Sequence, residues 1–315
     1  MTSTGPRPRE HVRIYEVGPR DGLQAEAMPI TTDAKRHFIR LLAGAGLREI
    51  EATSFVSPKA IPQLADADEL LPSLPRGEGV RYPVLVPNRR GLERAEAAGA
   101  DAIAVFTAAS DAYAQRNIGM TAEASLEAFA PLLAEANDRG WWTRAYLSTA
   151  FGCPYSGRVE PGRVIELALR LAELGAGEIA VSDTVGVAVP SQVDEMVANL
   201  VEAGLPVERI AFHFHDTRGT AVANVVAGLA GGVRTFDAST GGTGGSPFAP
   251  GATGNLATED LVYLLEGMGY EHGAELAGVL AAARFIAQAL GRPLASKVGR
   301  AGGWDPVTGQ AVGRA

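Results

Sequence analysis

Cysteine is almost absent from the sequence, which has only Cys153 among its 315 residues. A lone cysteine excludes an internal disulfide framework, and it also excludes a zinc site built from several cysteines. Any metal that the chain binds must therefore be held by oxygen and nitrogen ligands. The thiol itself, in FGCPYSG (151–157), is either reactive or, more simply, a small buried side chain.

Long apolar runs and concentrated positive charge are also lacking. No uninterrupted apolar stretch is long enough to span a bilayer, and the polar start MTSTGPRPREHVR lacks the apolar region of a secretory signal. The 28 lysines and arginines are scattered among 36 acidic residues, whereas a nucleic-acid surface normally needs a concentrated basic footprint. We therefore expect a cytoplasmic protein that binds neither nucleic acid nor membrane.

What the sequence does contain is a regular alternation of two kinds of segment. Apolar residues make up 46% of the chain, so a well-buried core is expected. Segments such as 34–46 and 162–175 have helix-period apolar patterns, and several end in glycine. Between them lie eight candidate strands: RIYEV (13–17), EIEAT (49–53), YPVLV (82–86), AIAVF (102–106), RAYLST (144–149), EIAVSD (178–183), RIAFHFHD (209–216) and TFDAST (235–240).

Eight strands that alternate with helices predict an α/β fold, a (β/α)₈ TIM barrel in a single domain. The alternative is a doubly wound open sheet, which needs a glycine-rich phosphate turn after its first strand, and GPRDG (18–22) does not match that turn. The prediction divides the chain into an N-terminal arm (1–12), a barrel with closing helices (13–295) and a C-terminal tail (296–315).

Polar side chains follow the predicted strands at their C-terminal ends, where α/β barrels carry their active sites. The candidates are Arg20 and Asp21 after the first strand, Glu51 near the end of the second, Asp183 at the end of the sixth, His213 and His215 in the seventh, and Asn255 beyond the eighth.

His213 and His215 form the sharpest local signal. Residues two apart on a strand face the same side, so both imidazoles point to one place. With Asp21 and Asn255 they offer two nitrogen and two oxygen ligands to a divalent cation, which leaves further positions open to substrate or water. The simpler alternative is a pair of core histidines held by hydrogen bonds.

The other polar candidates suit supporting roles. Arg20 and Asp21 taken alone resemble a solvated turn pair, but the flanking glycines and proline fix a turn that can aim both side chains. A guanidinium placed there is suited to stabilise a developing enolate oxygen. For Glu51 and Asp183, orienting the ligands is at least as good an interpretation as direct proton transfer.

Seven long motifs follow one another in order along the chain. They are YEVGPRDGLQAE (15–26), IEATSFVSPKAIPQ (50–63), YPVLVPN (82–88), FGCPYSG (151–157), SDTVGV (182–187), HFHDTRG (213–219) and GGSPFAPGATGNLATEDLVYLLEG (244–267). Together they resemble the 3-hydroxy-3-methylglutaryl-CoA lyase family, part of a superfamily of metal-dependent barrels that also contains isopropylmalate synthase. The resemblance covers about residues 13–298.

This resemblance implies roles for individual residues. The family's metal ligands, which hold Mg²⁺ or Mn²⁺, correspond to Asp21, His213, His215 and Asn255. Arg20 corresponds to the arginine that stabilises the enolate of the departing acetyl-CoA, and Glu51 and Asp183 to residues that support the ligands and the substrate. Gln24 and Ser54, which lie in the matching motifs, are expected to bind substrate together with Arg20.

The resemblance also implies the reaction, a retro-aldol cleavage of a 3-hydroxyacyl-CoA thioester. The parent substrate yields acetyl-CoA and acetoacetate, a step of leucine degradation. A histidine of the metal shell, such as His213, or a bound water takes the hydroxyl proton, and the enzyme is expected to be a homodimer. A condensing synthase of the superfamily commonly carries a further C-terminal regulatory domain, whereas this sequence stops soon after the predicted barrel closes. We therefore expect a lyase rather than a synthase.

One position departs from the family pattern. The family's glycine-rich loop normally reads GGLGGCP, and its cysteine is a catalytic acid/base, whereas this chain reads GGTGGSP with Ser246 in that place. An alcohol is a far weaker acid than a thiol near neutral pH. Three explanations stay open: a slower lyase that relays the proton, a lyase or aldolase for a different 3-hydroxyacyl-CoA or 3-hydroxy acid, and a barrel that binds metal and ligand without turnover.

Overall fold

Short parallel strands alternate with helices along the described part of the chain. The computed structural model describes residues 10–77, 79–245, 254–304 and 307–312. The strands are β1 (Arg13–Glu16), β2 (Glu49–Ile50), β3 (Thr53–Ser54), β4 (Val84–Leu85), β5 (Ala102–Ala108), β6 (Trp142–Ser148), β7 (Glu178–Asp183), β8 (Ile210–Phe214), β9 (Thr235–Ala238), β10 (Gly303–Trp304) and β11 (Ala311–Val312). The helices are α1 (Thr32–Gly44), α2 (Ala67–Leu70), α3 (Arg89–Ala97), α4 (Asp111–Ile118), α5 (Ala122–Asp138), α6 (Pro161–Glu173), α7 (Pro190–Glu202), α8 (Ala221–Ala230), α9 (Thr258–Met268), α10 (Leu276–Leu290) and α11 (Lys297–Ala301).

The parallel strands form one curled sheet with the order β2-β1-β9-β8-β7-β6-β5-β4-β3. Its two end strands, β2 and β3, are the two halves of the second predicted strand, and only Glu51 and Ala52 separate them. The amide of Glu51 donates to the carbonyl oxygen of Glu16 at 2.9 Å, and that of Ala52 donates to Pro83 at 3.0 Å. One short segment thus bonds to the strands on both sides. All eight predicted strand segments are present, and the second is divided in two.

Alternate residues of each parallel strand face either the helices or the inside of the sheet. In β7, Ile179 and Val181 join the large apolar cluster under the helices, whereas Ala180 belongs to a small separate cluster inside the sheet. The helices cover the sheet with apolar stripes at helical spacing. In α6 this stripe is Val164, Leu167, Ala168 and Leu171.

The sequence specifies where several helices begin. The side chains of Thr31, Asn88 and Thr121 accept hydrogen bonds from backbone amides of the first turns of α1, α3 and α5. Such caps satisfy donors that the helix itself leaves unpaired. These caps fix where the three helices begin.

The described part of the predicted C-terminal tail contains α11 and a two-stranded hairpin. Asp260 of α9 accepts hydrogen bonds from the hydroxyl of Ser296 (3.0 Å) and the amides of Lys297 (3.2 Å) and Val298 (2.7 Å). The first turn of α11 is therefore fastened to α9. Among the described helices, none has both the length and the apolar character needed to cross a membrane.

Candidate metal centre and active site

A π-helical turn, Gly18–Gly22, follows β1 and positions Arg20 and Asp21. The amides of Arg20, Asp21 and Gly22 all donate to the carbonyl oxygen of Val17, at 3.2, 2.8 and 3.1 Å. A Cβ at Gly18 would lie 2.5 Å from a carboxylate oxygen of Glu16, and one at Gly22 would collide with the hydroxyl of Thr243. The tight turn therefore requires glycine at both ends of the motif GPRDG.

Asp21, His213 and His215 converge as predicted. Their potential ligand atoms all lie within 4.8 Å of one another. The two imidazole centroids are 5.2 Å apart, because both residues face inward, His213 in β8 and His215 directly after it. His215 also forms a backbone bridge with Asn255, which brings the fourth predicted ligand to the same place.

Asn255 provides the test of whether these residues fit a cation. Its Nδ2 donates to Oδ2 of Asp21 at 2.8 Å and to the carbonyl oxygen of Thr243 at 3.0 Å. Its Oδ1 is buried and has no hydrogen-bond partner among the described residues. A buried acceptor without a donor costs roughly 1–3 kcal/mol, a cost that a bound cation would remove. The mixed oxygen and nitrogen donors therefore fit a divalent cation.

The charges around Asp21 favour its ionised form. Burial acts to raise the pKa of Asp21, but the Arg20 guanidinium, the two histidines and the Asn255 amide together lower that pKa to about 2. A carboxylate ligand is thus ready over the whole physiological range. Burial opposes the charge of Arg20 as well, yet the neighbouring Glu51 and Asp21 raise its pKa well above the ordinary value.

Glu51 and Tyr146 hold Arg20 in one orientation. Nε of Arg20 donates to Oε2 of Glu51 at 2.7 Å, and Nη1 donates to Asp21 at 2.8 Å. The hydroxyl of Tyr146 donates to the same Glu51 oxygen at 3.0 Å, and the guanidinium lies 5.2 Å from the Tyr146 ring centroid. Burial and the Glu51 charge raise the pKa of Tyr146, so its hydroxyl stays a donor. Glu51 is completely buried and does not line the cavity, so its carboxylate contacts Arg20 instead.

Two other predicted residues are turned away from the cavity. Asp183 accepts hydrogen bonds from the amides of Val187 (3.0 Å) and Ala188 (2.8 Å), so its carboxylate fixes the loop after β7. Burial raises the pKa of Asp183 despite these bonds. Ser54 donates to the carbonyl oxygen of Leu85 at 3.2 Å and is buried. Neither residue lines the cavity.

Ser246 lies outside the described residues, so its predicted role stays a prediction. Gln24 lines the cavity, and its expected contact with substrate stays a prediction. Cys153 is buried. Burial acts to raise the pKa of its thiol, but hydrogen bonds with Ser110 and Ser156 lower that pKa.

Several side chains of the cavity were missed by the sequence interpretation. Tyr146 could have been found, because it has the same parity along β6 as other inward-facing residues. Tyr113 and Asn117 had no such signal, since they belong to α4 and reach the cavity from its side. The lining residues are Arg20, Asp21, Gln24, Ala25, Leu85, Phe106, Tyr113, Asn117, Tyr146, Ser148, Ser182, Thr184, His213, His215 and Gly245.

Known proteins are similar to this chain in sequence and in fold. The HMGL-like family model matches residues 11–286. The hydroxymethylglutaryl-CoA lyase of Pseudomonas mevalonii is 49% identical over 290 residues, which cover 92% of this chain and 96% of the relative.

Two solved structures agree with the sequence match. The hydroxymethylglutaryl-CoA lyase of Pseudomonas aeruginosa is 41% identical with a TM-score of 0.90, over 93% of this chain and 97% of that one. An HMG-CoA lyase of Acinetobacter baumannii, in complex with coenzyme A and 3-methylmalate, is 36% identical with a TM-score of 0.89, over 93% and 95% of the two chains. This chain therefore belongs to the HMGL-like family, the carbon–carbon lyases typified by hydroxymethylglutaryl-CoA lyase.

Proposed function

We propose that this protein is a divalent-metal-dependent lyase that cleaves 3-hydroxy-3-methylglutaryl-CoA to acetyl-CoA and acetoacetate. The observation that carries the proposal is the convergence of Asp21, His213 and His215 beside Arg20 at one cavity. The names of the relatives support the substrate. The related lyase bound to coenzyme A and 3-methylmalate supports a site for an acyl-CoA thioester and a small carboxylate.

In this proposal Asp21, His213, His215 and Asn255 hold the cation. The unpartnered Oδ1 of Asn255 supports its inclusion as the fourth ligand. When bound, Mg²⁺ or Mn²⁺ supplies Lewis-acid polarisation of a substrate oxygen. The choice between the two metals is open to direct measurement of both affinities.

Arg20 has the position and charge to stabilise the enolate. Its Nε and Nη1 are held by Glu51 and Asp21, whereas Nη2 forms no hydrogen bond within the described chain. Nη2 is therefore available to donate to the thioester oxygen, where negative charge develops as the C2–C3 bond breaks. Since Glu51 and Tyr146 already fix the guanidinium, little reorganisation is needed at that moment.

Two proton transfers complete the reaction. The C3 hydroxyl loses its proton as C3 becomes the ketone of acetoacetate, and C2 of the enolate gains one to form acetyl-CoA. Nδ1 of His213 lies 3.0 Å from Asp237, and its other ring nitrogen would hold the cation, so we propose that a water in the cavity takes the hydroxyl proton. We propose that Ser246 relays the second proton from water, because a serine hydroxyl is a poor acid by itself.

The test is a product assay on the purified protein with Mg²⁺ or Mn²⁺. The assay should detect equal amounts of acetyl-CoA and acetoacetate from 3-hydroxy-3-methylglutaryl-CoA. A panel of branched 3-hydroxyacyl-CoA thioesters and free 3-hydroxy acids gives the comparison. Cys153→Ser controls for chemistry by the single thiol of the chain. It should keep full activity, because Cys153 lies outside the lining of the cavity. Cleavage of another panel member in preference to the parent substrate would replace the substrate assignment.

Finer features of the organisation are also proposed. The meeting of β2 and β3 in one segment supports a closed (β/α)₈ barrel formed by residues 13–295 as a single domain, with an arm at 1–12 and a tail at 296–315. By family resemblance we propose a homodimer, which light scattering with size exclusion tests. The single buried cysteine is compatible with a reducing cytoplasm, and cell fractionation tests that location.

A further inference from the structure

Charged side chains cross the inside of the sheet beneath the proposed metal site. Arg13 donates to Glu178, Nε of Arg144 lies 3.5 Å from Glu178, and Arg144 donates to Asp237. Oδ2 of Asp237 then lies 3.0 Å from Nδ1 of His213. The line of contacts begins near the end of the sheet opposite the cavity and stops at a proposed metal ligand.

This composition is unusual for the interior of an α/β barrel, which bulky branched apolar residues normally fill. Arg144 and Asp237 are 0% and 1% exposed. Buried ion pairs are often no more stabilising than apolar side chains of similar volume. Stability alone therefore does not explain why these charged residues lie here. The contact of Asp237 with His213 does offer a reason.

Arg144 fixes the position of Asp237. One carboxylate oxygen of Asp237 accepts from Nη2 of Arg144, and the other faces the imidazole of His213. The Arg144 guanidinium lies 3.8 Å from the ring centroid of Tyr15 and 5.0 Å from that of Tyr146. The arginine is thus enclosed by two aromatic rings, and the carboxylate that it holds has little freedom to rotate.

Backbone pairing places the same residues in register. His213 of β8 is directly opposite Asp237 of β9, and Asp237 is opposite Tyr15 of β1. The distance between Asp237 and His213 is therefore set by the sheet itself. A carboxylate held this way can only accept, so the proton of a neutral His213 ring belongs on Nδ1.

We propose that Asp237, held by Arg144, is the positioning residue that keeps His213 ready for the cation. The carboxylate accepts a hydrogen bond from Nδ1–H of His213, which fixes the ring orientation and leaves the Nε2 lone pair facing the cavity. This inference rests on the proposed metal site. It assigns no proton transfer to Asp237.

The first test reads the imidazole tautomer in wild-type protein without metal. Nitrogen-15 NMR of histidine-labelled protein distinguishes protonated Nδ1 from protonated Nε2, and His213→Gln identifies the signal among five histidines. The expected result for neutral His213 is the Nδ1–H tautomer. The Nε2–H tautomer would overturn the inference. This reading depends on no other variant and on no catalytic activity.

The second test measures Mn²⁺ affinity by electron paramagnetic resonance, without substrate. Asp237→Ala should weaken Mn²⁺ binding by about 10–100-fold, the usual effect of removing a residue that orients a ligand. Asp237→Asn, which keeps an oxygen acceptor, should recover part of that loss. An affinity of folded Asp237→Ala within twofold of wild type would overturn the inference.

Two control variants separate positioning from general damage. Leu167→Ala opens the core under α6 far from the site, and it should lower the melting temperature while leaving Mn²⁺ affinity within about twofold, because it touches no residue of the line. Glu178→Gln changes the line without touching Asp237, so it should also leave the affinity within about threefold. A loss from Glu178→Gln equal to that of Asp237→Ala would contradict the specific role of Asp237.

These outcomes are distinguishable from a failure of the proposed function. If wild type binds Mn²⁺ with the predicted dependence on Asp237 but cleaves no thioester, the inference stands and the proposed reaction fails. If wild type cleaves the thioester and Asp237→Ala binds Mn²⁺ normally, the reaction stands and the inference fails.

Discussion

The side-chain amide of Asn255 donates to the carboxylate of Asp21 at 2.8 Å, although 234 positions separate the two residues in the chain. Asp21 follows β1, and Asn255 lies between β9 and α9. This bond therefore joins the segment after the first parallel strand to the segment after the last one. The same amide donates to the carbonyl oxygen of Thr243. Both protons of Nδ2 are therefore used, which orients Oδ1 as the free acceptor at the proposed metal site.

Replacement of Asn255 by alanine should weaken metal binding. The change removes one proposed ligand and the hydrogen bond to Asp21, so we expect the dissociation constant for Mn²⁺ to rise by at least about tenfold. Electron paramagnetic resonance of free Mn²⁺ measures this directly. Asn137→Ala, which removes an exposed amide bonded to the carbonyl oxygen of Gly175, is the matched control. Equal affinity of Asn255→Ala and the control would exclude Asn255 as a ligand.

Replacement of Arg20 by lysine should reduce turnover much more than metal binding. Lysine keeps the positive charge, but its donors all lie on one nitrogen and cannot reproduce the fork with which Arg20 reaches Glu51, Asp21 and the substrate from three different nitrogens. We expect kcat to fall by about 10²–10³-fold, the usual effect of losing a donor to a developing oxyanion. Steady-state kinetics measures the change, and Arg89→Lys, at an exposed position, serves as control. A loss of less than about threefold would contradict enolate stabilisation by Arg20.

Glu259 should make stability depend on pH. Burial raises its pKa to about 7, although the Gly241 amide donates to one of its oxygens at 2.9 Å and opposes the shift. An acid whose pKa is raised in the folded state contributes most stability below its unfolded value near 4.5, and that contribution is lost as pH rises towards 7. Glu259→Gln removes this loss.

As pH rises from 4 to 8, the unfolding free energy of Glu259→Gln should therefore increase by about 3 kcal/mol relative to that of wild type. This follows because one pKa unit corresponds to about 1.36 kcal/mol. Urea denaturation at several pH values measures the difference. Glu195→Gln, on the exposed side of α7, should show no such change. A difference between Glu259→Gln and wild type that stays constant with pH would refute the shifted pKa.

Replacement of Ser246 by cysteine should increase turnover of 3-hydroxy-3-methylglutaryl-CoA. A thiol exchanges protons near neutral pH far more readily than an alcohol does, and general acid catalysis contributes on the order of 10²–10⁴-fold. We expect kcat to rise by at least about tenfold, with no change in Mn²⁺ affinity. Ser57→Cys, at an exposed position, controls for the introduced thiol. An unchanged kcat would indicate a proton path that does not use this residue.

The sequence predicted the strands and the convergence of Asp21, His213 and His215, because both follow simple periodicities. His213 and His215 share a face since they are two apart on a strand, and Asp21 follows a strand end, so convergence required only the barrel architecture. Glu51 was also placed correctly near the site. Its exact partner, Nε of Arg20, depends on the π-helical turn, and nothing in local propensity specifies that turn.

Other features depend on side-chain direction, which spacing along the chain does not determine. Asp183 occupies a strand end, yet two amides of its own loop bind the carboxylate and turn it from the cavity. Asn117 reaches the cavity from α4, where no strand-end rule applies. The sequence pattern assigns Asp237 only to a strand, although its position two residues from Thr235 in that strand places it inside the sheet. Its partner His213 becomes evident only from the register of β8 and β9.

The central claim, a metal-dependent lyase, is tested most directly by titrating metal-free protein with Mn²⁺ while the cleavage of 3-hydroxy-3-methylglutaryl-CoA is followed. We predict no cleavage without metal, a rise that saturates with one Mn²⁺ bound per chain, and no recovery in His213→Ala at the same Mn²⁺ concentrations. Full cleavage activity in the metal-free protein, or equal activity in His213→Ala, would contradict the claim.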